Sequence, residues 1–358
     1  MFGNITARYL GLELKSPVLV GSSSLARDPE AVRDLWLAGA GAIVLPSLFE
    51  EQVMEQRFGS DHRESIHHPY NERLSYGHVA TNYNGGTERY LELIAELKRT
   101  SLIPIIANLN GFTHGQWLSI ASEIERAGAA AIELVVDCDI TDPNTRGEQI
   151  EQCLIDCVAE VCDQVAIPVS VKLSSFHTSI ANLTRRIADA GAKGVVCFAH
   201  APAWRVETEC IDTTLHWSLT AAGNINPTIA GLIRARGAGA SMDIAASGGI
   251  CSTDDFVRSV IAGADVAMMT SAVYRSGPSA ITKVVNGLQN YLSRSGFASF
   301  AEFAAARPKL HACMRSSYLR GISEIDRYHD PTPQPTTVTG DRYGHLDHVM
   351  PPEPHSIV

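Results

Sequence analysis

Met242-Asp243-Ile244-Ala245-Ala246 is a short apolar run that ends in Ser247-Gly248-Gly249. A polar helix start follows, Ser252-Thr253-Asp254-Asp255, and then the helical spacing of Phe256, Val257, Val260 and Ile261. Ala262-Gly263-Ala264 closes that helix, and a second apolar run, 265–269, ends in Thr270-Ser271-Ala272. Two strand-like runs therefore finish in small residues, one helix apart. Glycines let the main chain approach an anion, and helix starts aim backbone N–H groups at it, so the pair suits a phosphate. Taken alone, each turn also reads as an ordinary strand-to-helix connection.

The junction that closes this helix recurs along the chain. Ala38-Gly39-Ala40-Gly41-Ala42-Ile43-Val44, Ala127-Gly128-Ala129-Ala130-Ala131-Ile132 and Ala190-Gly191-Ala192-Lys193-Gly194-Val195-Val196 match Ala262-Gly263-Ala264-Asp265-Val266. Glycine terminates a helix readily, and small residues let helix and strand pack closely. Repeated α-to-β junctions imply parallel strands with helical crossovers. Strand candidates are 17–20, 43–46, 104–108, 131–136, 168–173, 194–198, 242–246 and 266–270. Helix candidates are 29–38, 88–100, 116–127, 147–163, 179–190, 227–236, 253–262 and 278–295. Eight alternations over about 280 residues fit an α/β fold of the (β/α)8 TIM barrel type better than an open doubly wound sheet, although the pattern alone does not demonstrate closure.

Two connections are long. Residues 47–86, after the second strand, carry His62, His67, His68, Tyr70, Tyr76, Asn82, Tyr83 and Asn84. Residues 199–226, after the sixth, carry Trp204, Trp217 and Asn224. Loops of this type emerge at the face where such barrels keep their sites, so both are expected to wall or cover a pocket. Residues 297–325 read as one or two terminal helices, giving a barrel domain over 1–325. A Pro/His-rich tail over 326–358 is expected to be disordered or extended over a neighbour.

The 358 residues carry a net charge of −10, which argues against nucleic acid or an anionic membrane as the main partner. The eight cysteines include no C-x-x-C, and Cys153 and Cys157 lack a histidine at zinc-finger spacing, so no metal site is expected and reduced thiols are. No apolar run approaches the ~20 residues of a membrane span, and a cytoplasmic protein is the expectation. A small molecule is the expected partner, and a homodimer is compatible with the sequence.

Polar residues at the strand ends are the functional candidates: Gly21-Ser22-Ser23-Ser24, Ser47, Asn108 with Asn110, Asp137-Cys138-Asp139, Lys172, His200, Ser247-Gly248-Gly249 and Thr270-Ser271. Lys172 ends Val169-Ser170-Val171-Lys172, and its alternation with Ser170 points it into the barrel. A lysine there needs an anion or a strong acceptor, and Glu133 is the structural alternative to a ligand. Cys138 lies where a nucleophile or base would sit, but Asp137 and Asp139 beside it make a thiolate scarcer. An inert, half-buried thiol is the competing reading.

With these residues assembled, the chain resembles the dihydroorotate dehydrogenase family, especially its soluble branch and its "dihydroorotate dehydrogenase-like" members. The resemblance rests on Tyr9-Leu10-Gly11-Leu12, Ser16-Pro17-Val18, Gly21-Ser22-Ser23, Ile106-Ala107-Asn108-Leu109-Asn110-Gly111, Glu133-Leu134, the 168–173 strand, Ser247-Gly248-Gly249-Ile250 and Gly277-Pro278. It implies an FMN-binding barrel that oxidises dihydroorotate to orotate in pyrimidine biosynthesis, with hydride passing to flavin N5. It further implies that Ser247, Gly248, Gly249, Thr270 and Ser271 hold the FMN phosphate, and that Gly21, Ser22, Ser47 and Asn108 border the flavin. Lys172 would face the N1–C2=O edge of the flavin, where a cation favours the reduced ring, and Cys138 would be the base.

Three positions depart from the family pattern. Its lysine at the end of strand two is Pro46, the asparagine after Glu133-Leu134 is Val135, and the asparagine ending strand six is Ala199. Losing such groups should reject a substrate that needs them. The resemblance therefore supports FMN more firmly than it supports dihydroorotate. The alternatives are a related barrel with another substrate, a non-redox barrel that binds a phosphorylated ligand, or a Schiff-base enzyme using Lys172.

Overall fold

The computed structural model describes residues 4–58, 83–100, 102–137, 143–200, 203–209, 211–239 and 241–308. The proposed tail, the 325/326 boundary, the histidines at 62, 67 and 68, and Tyr70, Tyr76, Asn82, Cys138 and Asp139 all lie outside them.

The strands that form the sheet are β3 (Val18–Val20), β4 (Ile43–Phe49), β5 (Ile105–Gly111), β6 (Ala131–Val136), β7 (Val169–Leu173), β8 (Gly194–Cys197), β11 (Asp243–Ser247) and β12 (Val266–Met269). They pair in parallel in that order, and β12 returns to β3, which closes the barrel. The helices outside are α1 (Pro29–Leu37), α2 (Glu50–Phe58), α3 (Gly86–Thr100), α4 (Ile120–Ala127), α5 (Gly147–Gln164), α6 (Ile180–Asp189), α7 (Asn226–Arg236), α8 (Thr253–Ala262), α9 (Ser271–Ser276), α10 (Ser279–Arg294) and α11 (Phe300–Ala305). The fold is an α/β TIM barrel, as the alternation suggested. All six residues of β6 are buried, as expected of a parallel strand covered on both faces.

The repeated junction has a conformational cause. Gly39, Gly128, Gly191 and Gly263 all have positive φ, between 105° and 128°. The backbone N–H groups of Gly128 and Gly263 bond back into α4 and α8, so each ends its helix before the next strand begins.

A hairpin of β1 (Ala7–Tyr9) and β2 (Leu12–Leu14) lies at the end where the strands begin. The Leu10 N–H donates to Asp243 Oδ2 at 2.6 Å, and Tyr9 is wholly buried. A Cβ on Gly194 would stand 2.7 Å from the Leu10 side chain, so β8 opens with a glycine where the hairpin enters. Neither β1 nor β2 was expected.

Two other segments differ from expectation. Strand β4 runs through Pro46 to Phe49, and a register shift against β5 between Val44 and Ser47 accommodates the residue that lacks an N–H. Residues 199–226 contain an antiparallel pair, β9 (Ala203–Glu207) with β10 (Asp212–His216). The alternation of Trp204 and Val206 with Arg205 and Glu207 was its signal.

Candidate active site

The register places Ser47, Asn108, Glu133 and Ser170 level with one another on four successive strands. Lys172 lies two residues further along β7, on the same face as Ser170. Its Nζ donates to Glu133 Oε1 at 3.1 Å, and Asn108 Nδ2 donates to the same oxygen at 2.7 Å. Glu133 is 0% exposed and the Lys172 side chain 11%. The structural alternative for Lys172 is thus realised, since its acceptor is Glu133. The salt bridge orients the ammonium without exhausting it, because one bond leaves two N–H donors. Glu133 Oε2 and Asn108 Oδ1 are buried without a hydrogen-bond partner among the described residues. Buried polar atoms left in that condition mark a place where a ligand or water belongs.

Below this trio, burial and then the Glu133 charge push the Tyr9 phenol well above its ordinary pKa, so it stays protonated. Above it, Val135 is buried beside Asn110, to which it is paired in the sheet.

The glycine turn lies against the loop that precedes α7. Gly248 and Gly249 have φ of 107° and 77°. Thr228 Oγ donates to the carbonyls of Ser247 and Gly248 at 3.1 and 3.0 Å. A Cβ on Gly249 would fall 2.4 Å from the Asn224 carbonyl oxygen, so only glycine fits this position. At the neighbouring strand end, Thr270 Oγ stands 2.5 Å from where a Cβ on Gly21 would be, which brings Gly21 and Thr270 into one corner. The Thr220 N–H donates to Ser271 Oγ at 3.0 Å, and Arg275 donates to the carbonyls of Leu219 and Thr220. The 199–226 loop thus closes against both proposed phosphate turns.

The start of α8 is already filled. Asp255 Oδ2 accepts from the Cys251 and Ser252 N–H groups at 3.2 and 3.0 Å, and Ser252 Oγ accepts from the Asp255 N–H. Burial works to raise the Asp255 pKa, but hydrogen bonds from Cys251 and Ser252 outweigh it and hold the carboxyl below its usual range. The helix start anticipated as a phosphate donor therefore serves its own carboxylate. Among the described residues the Thr270 side chain makes no cap at the start of α9, so the backbone there and at Gly248–Gly249 is the candidate anion donor.

On the opposite side, Ser22 Oγ and Ser47 Oγ lie 3.3 Å apart. Asp137, the last described residue before Cys138, donates its N–H to the Gly111 carbonyl at 2.9 Å and so continues the β6 ladder. Burial raises the Asp137 pKa, offset by the nearby His177. Burial also lowers the pKa of His177, opposed by Glu151 and Asp137.

Residues 5–292 match the family model of dihydroorotate dehydrogenase. The chain belongs to the dihydroorotate dehydrogenase family. It is 25% identical over 301 residues to a protein of Aeropyrum pernix assigned to the dihydroorotate dehydrogenase A (fumarate) type, covering 82% of this chain and 94% of the relative. It is also 25% identical over 305 residues to the catalytic subunit of a dihydroorotate dehydrogenase B (NAD(+)) of Pyrococcus abyssi, covering 83% and 97%. The corresponding Streptococcus pneumoniae subunit is 25% identical over 303 residues, covering 82% and 93%. The family is an oxidoreductase family. Among the described residues no helix is long and apolar enough to cross a membrane, and no group of His, Cys, Asp or Glu could hold a metal.

Several residues that shape the site escaped the sequence reading. Glu133 was named as a possible salt-bridge partner and in a family motif, Tyr83 and Asn84 only as part of a loop expected to wall a pocket, and Thr228 and His177 were given no role. Glu133 was the most accessible of these, because it alternates inward on the strand next to that of Lys172.

Proposed function

We propose that the chain is an FMN-dependent oxidoreductase acting on a CH–CH donor, with dihydroorotate or a similar small cyclic amide or acid as reductant. One juxtaposition carries this reading. A closed barrel sets the Gly248–Gly249 turn and the Gly21–Thr270 corner at the same mouth as a buried Lys172–Glu133–Asn108 trio with unused polar valences. The residues fit the cofactor. Positive-φ glycines pressed against the 224–225 backbone admit a phosphate without a clashing side chain, while Lys172 and Asn108 Oδ1 supply a donor and an acceptor for a polar ring edge.

Bound FMN would supply hydride acceptance, and the protein's part is to hold ring and substrate and to move a proton. Ser247, Gly248, Gly249, Thr270 and Ser271 would hold the phosphate, with Gly21, Ser22, Ser47 and Asn108 along the ring. Lys172, fixed by Glu133, donates to a carbonyl edge. Cys138 is the candidate base that takes the proton from the substrate carbon.

Pro46, Val135 and Ala199 favour a substrate that differs from dihydroorotate in its polar edge, since apolar groups occupy three positions that otherwise bond it. The test is a visible spectrum of the purified protein, followed by anaerobic addition of dihydroorotate with fumarate and NAD+ as alternative acceptors. A yellow protein bleached by a cyclic amide or acid is expected. A colourless protein that FMN does not reconstitute would overturn the proposal.

A further inference from the structure

Tyr83 enters the site from the far end of the long connection after β4, and its position is firmly imposed. The next residue, Asn84, is 7% exposed and tied into β4 and α2. Asn84 Nδ2 donates to the Ser47 carbonyl at 2.7 Å and to Gln52 Oε1 at 2.8 Å. Asn84 Oδ1 accepts from Gln52 Nε2 at 2.8 Å and from the Gly86 N–H at 2.9 Å. Gln52 Oε1 also accepts from the Phe49 N–H at 3.1 Å. This reciprocal amide pair staples the chain before α3 to the end of β4. The Tyr83 ring then packs on Phe49, with centroids 6.0 Å apart. Its hydroxyl comes within reach of Ser22 and Ser47, whose own hydroxyls lie 3.3 Å apart, and burial raises its pKa.

Ser22, Ser47 and Tyr83 bring three hydroxyls together, each with one donor and two acceptor positions, so a chain of bonds through them leaves one O–H free to point out of the cluster. Ser47 O already accepts from Asn84, and each hydroxyl can both donate and accept. Tyr83 is brought beside two serines of the mouth by a neighbour that makes four hydrogen bonds.

We propose that Tyr83 is a ligand-binding residue of the barrel mouth, whose neutral phenol, held beside Ser22 and Ser47, donates a hydrogen bond to the polar edge of the flavin ring. This rests on the reading of the site as an FMN site. The phenol remains a donor through the neutral range, and it provides polarity next to Pro46, a residue with none to offer.

The full-length protein stripped of flavin, wild type and Tyr83→Phe, would be titrated with FMN by fluorescence quenching, and the midpoint potential of the bound flavin measured. Loss of one hydrogen bond is expected to weaken binding about three- to tenfold. The potential should become more negative, because a donor at the ring favours the electron-rich form. Site-specific 3-fluorotyrosine at position 83 keeps the size of the side chain and strengthens the hydroxyl as a donor. It should move the potential the opposite way, and it stands in should Tyr83→Phe fail to fold. A purely structural role gives no such opposed pair. Unchanged or tighter FMN binding with an unmoved potential would overturn the role of Tyr83 alone. Failure of the wild type to bind FMN would overturn this inference together with the FMN reading.

Discussion

The Lys172–Glu133 pair makes the sharpest energetic prediction. Lys172→Met removes the cation beside a carboxylate that is 0% exposed, leaving Asn108 Nδ2 as donor to Oε1 and no partner among the described residues for Oε2. Breaking a buried pair from one side costs about 3–5 kcal/mol, mainly because the surviving charge is stranded. Glu133→Gln in the Lys172→Met background removes that charge and preserves the Asn108 contact. The double variant should recover to within about 1–2 kcal/mol of wild type, since a buried pair is worth little net against an uncharged replacement. The assay is urea unfolding followed by both tryptophan fluorescence and circular dichroism, with coincident transitions required before free energies are compared. Costs of the two single variants that add to within about 0.5 kcal/mol of the double would refute the reasoning, because independent sites add and contacting ones do not. Lys172→Ala should in addition retain less FMN after gel filtration.

Three further outcomes follow from the same geometry. Gly249→Ala must place a methyl 2.4 Å from the Asn224 carbonyl at a φ of 77°, and should cost more than about 2 kcal/mol and release FMN; Gly147→Ala, with nothing within 4 Å, is the neutral control in thermal melts. His177 has its pKa lowered from 6.5 by burial, so the unfolded chain binds the proton more readily. Its contribution therefore destabilises the fold as pH falls through 6.5 towards the lowered value; His177→Gln should flatten that part of the stability–pH curve, and an NMR titration midpoint at or above 6.5 would contradict it. Cys138→Ala should keep FMN bound while slowing anaerobic bleaching by about 100-fold or more, and bleaching at the wild-type rate removes that thiol from the mechanism.

The frame was legible because it repeats. Four Ala-Gly-Ala junctions announce helix ends, and the structure gives each junction glycine the positive φ that a helix terminator of this kind takes. Strand alternation likewise pointed Lys172 inward, where Glu133 now meets it. The glycine pair was legible too, as a turn that needs unusual backbone, and so was the helix start after it. Composition did not show that Ser252 and Asp255 satisfy one another there, which takes up donors an anion would use. A capping box and an anion site share a composition, and only geometry separates them.

The mouth was read less well, for a different physical reason. Tyr83 meets Ser22 and Ser47 from sixty-one and thirty-six positions away in the chain, and the Gln52–Asn84 amide pair that secures it follows no helical or strand period. Contacts set by loop return leave no periodic trace. The same distinction governs how far family membership reaches. Residues 5–292 match the family model, and the frame and the inward trio require only strand order and alternation. Pro46 and Val135 lie within β4 and β6 and Ala199 just past β8, at positions where the frame does not depend on a polar side chain. Cofactor retention should therefore follow the groups proposed to hold FMN, whereas substrate choice should follow these three positions. A chimera test separates the two: restoring Val135→Asn should leave FMN affinity within about threefold of wild type, since no proposed phosphate or ring contact is touched, while raising kcat/KM for dihydroorotate by about tenfold or more if an unpaired substrate edge is what limits it. Loss of FMN with no gain in turnover would show that cofactor and substrate groups are not divided in this way.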